Sequence, residues 1–197
     1  MAIQPGWGFC NQCFVMFYNG YSDKGVCLGG TLGHVMEGER FELPHDVPDN
    51  PHAQEEWRFC VKCSAMFFNG YEDKGHCAGG HGHDCGGSFN FVLPHDVPDN
   101  NGSQEGWFYC KWCKSMFFDG YHHDGRTGIC PAHPGGHEGQ GFNFVLPHYD
   151  ASGDPPPVLP GQVEAPPGGF TGWGHAVEKP KEKRKDIFPS DPKRKPR

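Results

Sequence analysis

Three stretches of the chain repeat one pattern and constrain the fold more than any other feature: WGFCNQCFVMFYNGY from Trp7, WRFCVKCSAMFFNGY from Trp57 and WFYCKWCKSMFFDGY from Trp107. The tryptophans are spaced by 50 and 50 residues, as are Cys10, Cys60 and Cys110. Cys27 and Cys77 keep the spacing of 50, whereas Cys77 and Cys130 are 53 apart, so the third copy carries a three-residue insertion. A fixed internal period outranks length as a guide to domain organisation. The expected division is repeat 1 over 1–50, repeat 2 over 51–100, repeat 3 over 101–150, a Pro/Gly-rich linker over 151–177 and a basic tail over 178–197.

A unit of about 50 residues buries too little apolar surface to be comfortably stable alone, so metals, disulfides or docking against a neighbour are expected. The chain contains 30 Gly and 19 Pro, which by themselves would suggest disorder, but Phe, Trp and Tyr recur at fixed places in every copy. Ordered, turn-rich modules fit this pattern better. Within each copy the aromatic run, as in Ala65–Tyr71, reads as a short strand entering an Asn-Gly or Asp-Gly turn. A second strand is expected at Phe89–Leu93, closed by Pro94. No window has a capped helical period. The expected fold class is small metal-stapled β modules: three tandem zinc-ribbon-like β-hairpin repeats followed by an extended Pro-rich arm. The linkers Pro44–Asn50 and Pro94–Asn100 share the wording PHDVPDN, whose two prolines restrict the angle between neighbours. The modules would then build a rigid rod or a cluster, and three of them could close into a pseudo-threefold body.

The cysteines supply the staples. Repeat 1 offers Cys10, Cys13, Cys27 and His34; repeat 2 offers Cys60, Cys63, Cys77 and His83; repeat 3 offers Cys110, Cys113, Cys130 and His137. Three thiolates and one imidazole are a standard tetrahedral zinc set, and Cys-x-x-Cys converges two sulfurs from one tight turn. Three zinc ions per chain are expected. Disulfides are the competing reading and an iron site the third; three recurrent cysteines per repeat cannot pair completely within it. The fourth ligand has rivals: His81 beside His83, His133 beside His137, and the set His45, His95 and His148, for which a hydrogen bond to the adjacent Asp is the preferred reading. Cys85 is an extra thiol, with two readings: a ligand that replaces a histidine in repeat 2, or a free thiol.

The wording W-x-x-C-x-x-C-x-x-M-F-[FY], with a later Cys, Gly-Gly and His, resembles tandem Cys-rich, zinc-ribbon-like repeats of bacterial and phage multidomain proteins over about residues 7 to 148. The resemblance implies a metal-stapled β module used for binding or assembly and carries no activity with it. His83 comes one residue early against the pattern, and the loop before Cys130 is longer.

Four protein ligands saturate tetrahedral zinc, whereas catalytic zinc keeps a position for water. His-Glu-x-x-His, Gly-x-Ser-x-Gly, the phosphate-binding Gly-x-x-x-x-Gly-Lys and the deaminase signature do not occur. The expectation is a protein that is not an enzyme. The tail from Glu178 to Arg197 holds nine Lys/Arg against four Asp/Glu, net +5, leaving −12 for the first 177 residues of a chain with total charge −7. Such a body repels phosphate, and Lys24, Arg58, Lys62, Lys111 and Lys114 are too scattered for a nucleic-acid footprint, so nucleic-acid contact is confined to the tail as an alternative. Glycan binding is a second alternative: Trp7, Trp57 and Trp107, with Tyr21, Tyr71 and Tyr121, would offer aromatic platforms if they were not needed for the core. The favoured expectation is a structural or assembly component, decorating or cementing a virion, sheath or filament through residues 151–197. No stretch approaches a membrane span, and MAIQPGWGFC lacks a basic region followed by an apolar run. Synthesis in the cytoplasm is expected, with incorporation into a virion or extracellular assembly left open.

Overall fold

The computed structural model describes residues 2–149. Each repeat supplies three antiparallel strands. A long first strand leads into the Cys-x-x-Cys turn: β1 (Ala2–Cys10), β4 (Ala53–Phe59) and β7 (Ser103–Cys110). A three-residue second strand leaves it: β2 (Met16–Tyr18), β5 (Met66–Phe68) and β8 (Met116–Phe118). After a long loop comes the third strand: β3 (Met36–His45), β6 (Phe91–Pro94) and β9 (Gly139–Tyr149). Among the described residues the only helical element is a 3-10 turn at His122–Asp124, inside the insertion of repeat 3.

The first strand sits between the other two, and its register is the same in every copy: Trp7 faces Tyr18, Trp57 faces Phe68 and Trp107 faces Phe118. On its other side Ile3 faces Pro44, Ala53 faces Pro94 and Ser103 faces Pro147. The short strands at Met66–Phe68 and Phe91–Pro94 fall within or beside the runs read from sequence. The long strands carrying the tryptophans have no such signal in the sequence. Their alternation is broken just before each Trp by a register shift, where Gly6, Glu56 and Gly106 take φ of 92°, 75° and 88°. A strand interrupted by a bulge loses the period-two pattern by which it would be recognised.

The three modules close into a ring with pseudo-threefold symmetry rather than a rod. Short strands of successive modules meet at Phe17–Ala65, Phe67–Ser115 and Val15–Phe117, the last joining repeat 3 back to repeat 1. At the other end the third strands meet at His45–Phe91, His95–Phe144 and Phe41–His148. Each Trp packs edge-on against the third strand of the next module at 5.1 Å between ring centroids: Trp7 on Phe91, Trp57 on Phe144 and Trp107 on Phe41. The shared core is therefore aromatic and lies between modules, which is how chains so poor in Leu, Ile and Val find enough surface to bury.

Candidate metal centres

The backbone at each Cys-x-x-Cys turn is built alike. The N–H of the residue after the second cysteine donates to the carbonyl of the first, from Phe14 to Cys10, Ser64 to Cys60 and Lys114 to Cys110, at 2.8–2.9 Å. Those three residues hold left-handed φ of 62–69° despite bearing side chains. The turn brings both thiols to one side, where the third cysteine and the histidine arrive from the long loop. His34 N–H donates to the Lys24 carbonyl, His83 N–H to Lys74 and His137 N–H to Thr127, so the insertion in repeat 3 is absorbed before this point.

The structure brings together Cys10, Cys13, Cys27 and His34, then Cys60, Cys63, Cys77 and His83, then Cys110, Cys113, Cys130 and His137. All twelve residues are buried, and the ligand atoms of each set lie within 4.8 Å of one another. The first and third sulfurs stand 3.8, 3.8 and 3.9 Å apart in the three modules. The second sulfur stands 3.3, 3.6 and 3.4 Å from the histidine Nδ1. Metal–sulfur bonds of about 2.3 Å and metal–nitrogen bonds of about 2.05 Å at tetrahedral angles imply edges of about 3.8 and about 3.5 Å. The donor sets thus fit a zinc-type ion, and a sulfur–sulfur bond of about 2.05 Å would need a different arrangement.

The imidazoles are oriented from three directions. Each stacks on the first Phe of the Met-Phe run, His34 on Phe17, His83 on Phe67 and His137 on Phe117, at 4.7–4.9 Å between centroids. Each Nε2–H donates to a carbonyl of the following module: His34 to Cys63 at 2.9 Å, His83 to Cys113 at 3.0 Å and His137 to Cys13 at 3.0 Å. A carbonyl can only accept, so Nε2 carries a proton in every case, and Nδ1 is the ring nitrogen turned toward the sulfurs. Burial pulls these imidazoles down, but hydrogen bonds and charge from the first and third cysteines outweigh it and push all three up to about 9. Hydrogen bonds from Cys13 and Cys27 pull the Cys10 thiol far below its ordinary range, while the same cluster pushes Cys13 up. Without metal each pocket favours a thiolate beside an imidazolium, which is the charge pattern of a site ready to exchange protons for a cation.

The rival histidines lie elsewhere. His45 Nδ1 bonds Asp46 at 2.8 Å and stacks on Phe89, and His95 Nδ1 bonds Asp96 at 3.1 Å and stacks on Phe142. His148 has Tyr149 next to it and faces Glu39 at 3.6 Å instead. His81 is exposed in a turn, His133 stacks on Trp112 at 4.9 Å, and Cys85 is half-buried outside the second metal set.

The aromatic platforms require correction. Trp7, Trp57 and Trp107 are 0 % exposed, and each indole N–H is taken by the Gln three residues before it, Gln4, Gln54 or Gln104. They have no face for a ligand because the core is built from them. Tyr21, Tyr71 and Tyr121 are half-buried and pack against the next ring neighbour, on Phe59, Tyr109 and Phe9 respectively. The Gln-x-x-Trp spacing recurs in all three copies and would have announced the buried indoles. Five of the body's eight Lys/Arg, those named above, are also committed internally: Lys24 and Lys62 to loop carbonyls, Arg58 to Glu56 and Asn90, Lys111 to Glu138 and Lys114 to Asp73.

No protein-family model, no curated protein and no solved structure matches the chain. Among the described residues no helix is long and apolar enough to cross a membrane.

Proposed function

We propose that the protein is a non-enzymatic structural or assembly component, a ring of three zinc-stapled modules that decorates or cements a larger protein assembly through residues 151–197. The observation that carries this reading is that each metal set consists of four buried protein ligands. Such a set leaves no coordination position for water or substrate, so the ion's work is to hold the backbone. Three zinc ions per chain replace the aliphatic core that modules of this size lack. The likeness of the repeats to zinc-ribbon-like modules of bacterial and phage multidomain proteins agrees with a virion or extracellular assembly as the setting.

The arm and tail lie outside the described residues, and their role rests on composition: a proline-rich spacer followed by a segment of net +5 suits contact with an acidic protein surface, or with nucleic acid as the alternative. The test compares the full chain with one ending at residue 150. Loss of co-sedimentation with particles of the native source, at unchanged zinc content and melting temperature, is the expected result. Retained co-sedimentation would sink the assembly reading.

A second reading keeps one observation. Tyr18, Tyr21, Phe59 and Phe89, with Ser88 and Gln4, line a groove where modules 1 and 2 meet. A glycan binder using this groove would retain its ligand on an array after residues 151–197 are removed and lose it with Tyr21→Ala.

A further inference from the structure

The three metal sets are not isolated from one another. Each histidine faces its own cluster through Nδ1 and, through Nε2–H, binds the carbonyl of the second knuckle cysteine in the next module. The next carbonyl along that knuckle is claimed as well: Tyr18 N–H donates to Ser64, Phe68 N–H to Lys114 and Phe118 N–H to Phe14, each at 2.9 Å. Both acceptors belong to the Cys-x-x-Cys turn, the segment whose conformation the metal fixes. Ser115 Oγ adds a further contact to His83 Nε2 at 3.3 Å.

The approach is close enough to exclude a side chain. Gly25, Gly75 and Gly128 lie against the carbonyls of Cys63, Cys113 and Cys13, where an added Cβ would overlap the oxygen. Each loop that delivers a third cysteine and a histidine is thereby seated on the knuckle of the following module. Sites 1, 2 and 3 form a closed cycle in which every site is both donor and acceptor.

We propose that the three sites load and release metal as one coupled unit, with the histidine Nε2–H to knuckle carbonyl bonds carrying the coupling. This rests on the reading of the twelve residues as metal ligands. Filling one site fixes a knuckle, which positions the histidine of the preceding module, and orients the ion's own histidine toward the knuckle ahead. Binding at one site therefore lowers the ordering cost at both neighbours, which is positive cooperativity in binding free energy.

Native mass spectrometry of the metal-free full chain, given one equivalent of Zn²⁺, reads this directly. Independent equal sites would leave roughly 4 % of chains triply loaded at that stoichiometry, and a typical coupling factor of about fivefold or more raises that share severalfold at the cost of singly loaded chains. His34→Cys keeps a four-ligand thiolate set but has no second donor for the Cys63 carbonyl. Gly25→Ala leaves every ligand in place and pushes module 1 off the knuckle of module 2. Both variants should still reach three zinc ions per chain in excess metal but fill them through abundant one- and two-zinc species. A statistical distribution in the unaltered chain, or unchanged all-or-none loading in both variants, would overturn the coupling while leaving the metal sites intact. Failure of the unaltered chain to take up zinc would overturn the coupling and the metal reading together.

Discussion

The Nε2 atom of His137 lies 3.0 Å from the carbonyl oxygen of Cys13, 124 residues earlier in the chain. This contact, with the Phe9 ring at 6.3 Å from Trp107 and 5.8 Å from Phe118, closes repeat 3 onto repeat 1. A chain ending at residue 100 would expose the aromatic faces of module 1 and leave the Cys13 knuckle without its partner. Such a chain is expected to lose its dispersed amide NMR spectrum even in excess zinc. A two-repeat chain that binds two zinc ions and melts cooperatively would show that closure is dispensable.

Buried and exposed tryptophans should respond very differently to truncation. Trp57→Ala removes a fully buried ring that packs on Phe68, Tyr109 and Phe144 and leaves Gln54 Oε1 without its donor. A loss of about 3–5 kcal/mol is expected from urea unfolding of the zinc-loaded protein. Trp112 is 39 % exposed, stacks on His133, lies beneath Lys111 and donates its indole N–H to Glu138 at 3.3 Å in an exposed hydrogen bond, so Trp112→Ala should cost under about 1 kcal/mol.

Cys77 and Cys85 separate ligand from bystander. Cys77→Ser should reduce bound zinc below three per chain, measured by elemental analysis after gel filtration, because an alcohol is a poor ligand at neutral pH. Cys85→Ser should retain three, since Cys85 stands outside the cluster of Cys60, Cys63, Cys77 and His83. Loss of zinc in both variants would place Cys85 at the metal.

Glu56 occupies the bulge position that glycine holds in the other two modules, at φ 75°. A side chain in that region costs about 1–2 kcal/mol, while glycine returns part of this through the greater freedom of its unfolded state. The pair between Glu56 and Arg58, at 3.4 Å and partly exposed, offsets little. Glu56→Gly is therefore expected to raise stability by up to about 1 kcal/mol, seen as a higher urea midpoint at unchanged slope. A lower midpoint would mean that the carboxylate matters more than the backbone.

Zinc affinity should fall with acidity. In the metal-free protein His34, His83 and His137 sit at about 9, so at pH 7 each is protonated and must lose its proton for Nδ1 to bind a cation. Raising pH from 6 toward 9 relieves that competition and strengthens binding; lowering it does the reverse. Competition with a chromophoric chelator across this range, corrected for the chelator's own protonation, measures the slope. An affinity independent of pH would exclude these histidines as ligands.

Much of this was legible because it depends on residues close in sequence. Cys-x-x-Cys, the later Cys and the His recur in order, and ligand chemistry alone groups them into three sets. The second strands were visible because Met-Phe-Phe runs straight into a turn. The first strands are hidden by their bulges at Gly6, Glu56 and Gly106, and the tryptophans read either as ligand platforms or as core because nothing local says which neighbour covers an indole.

The repeat, the ligand types and the need for staples follow from residue order alone, since period, donor softness and module size are properties of the chain taken in order. Closure of the modules into a ring, the covering of Trp7 by Phe91 of the next repeat and the reach of His137 to the knuckle of the first arise in three dimensions. Those outcomes depend on how one module's twisted strands present their edges and faces to the next. Contacts between residues 50 to 124 positions apart leave no local pattern from which that geometry could be read.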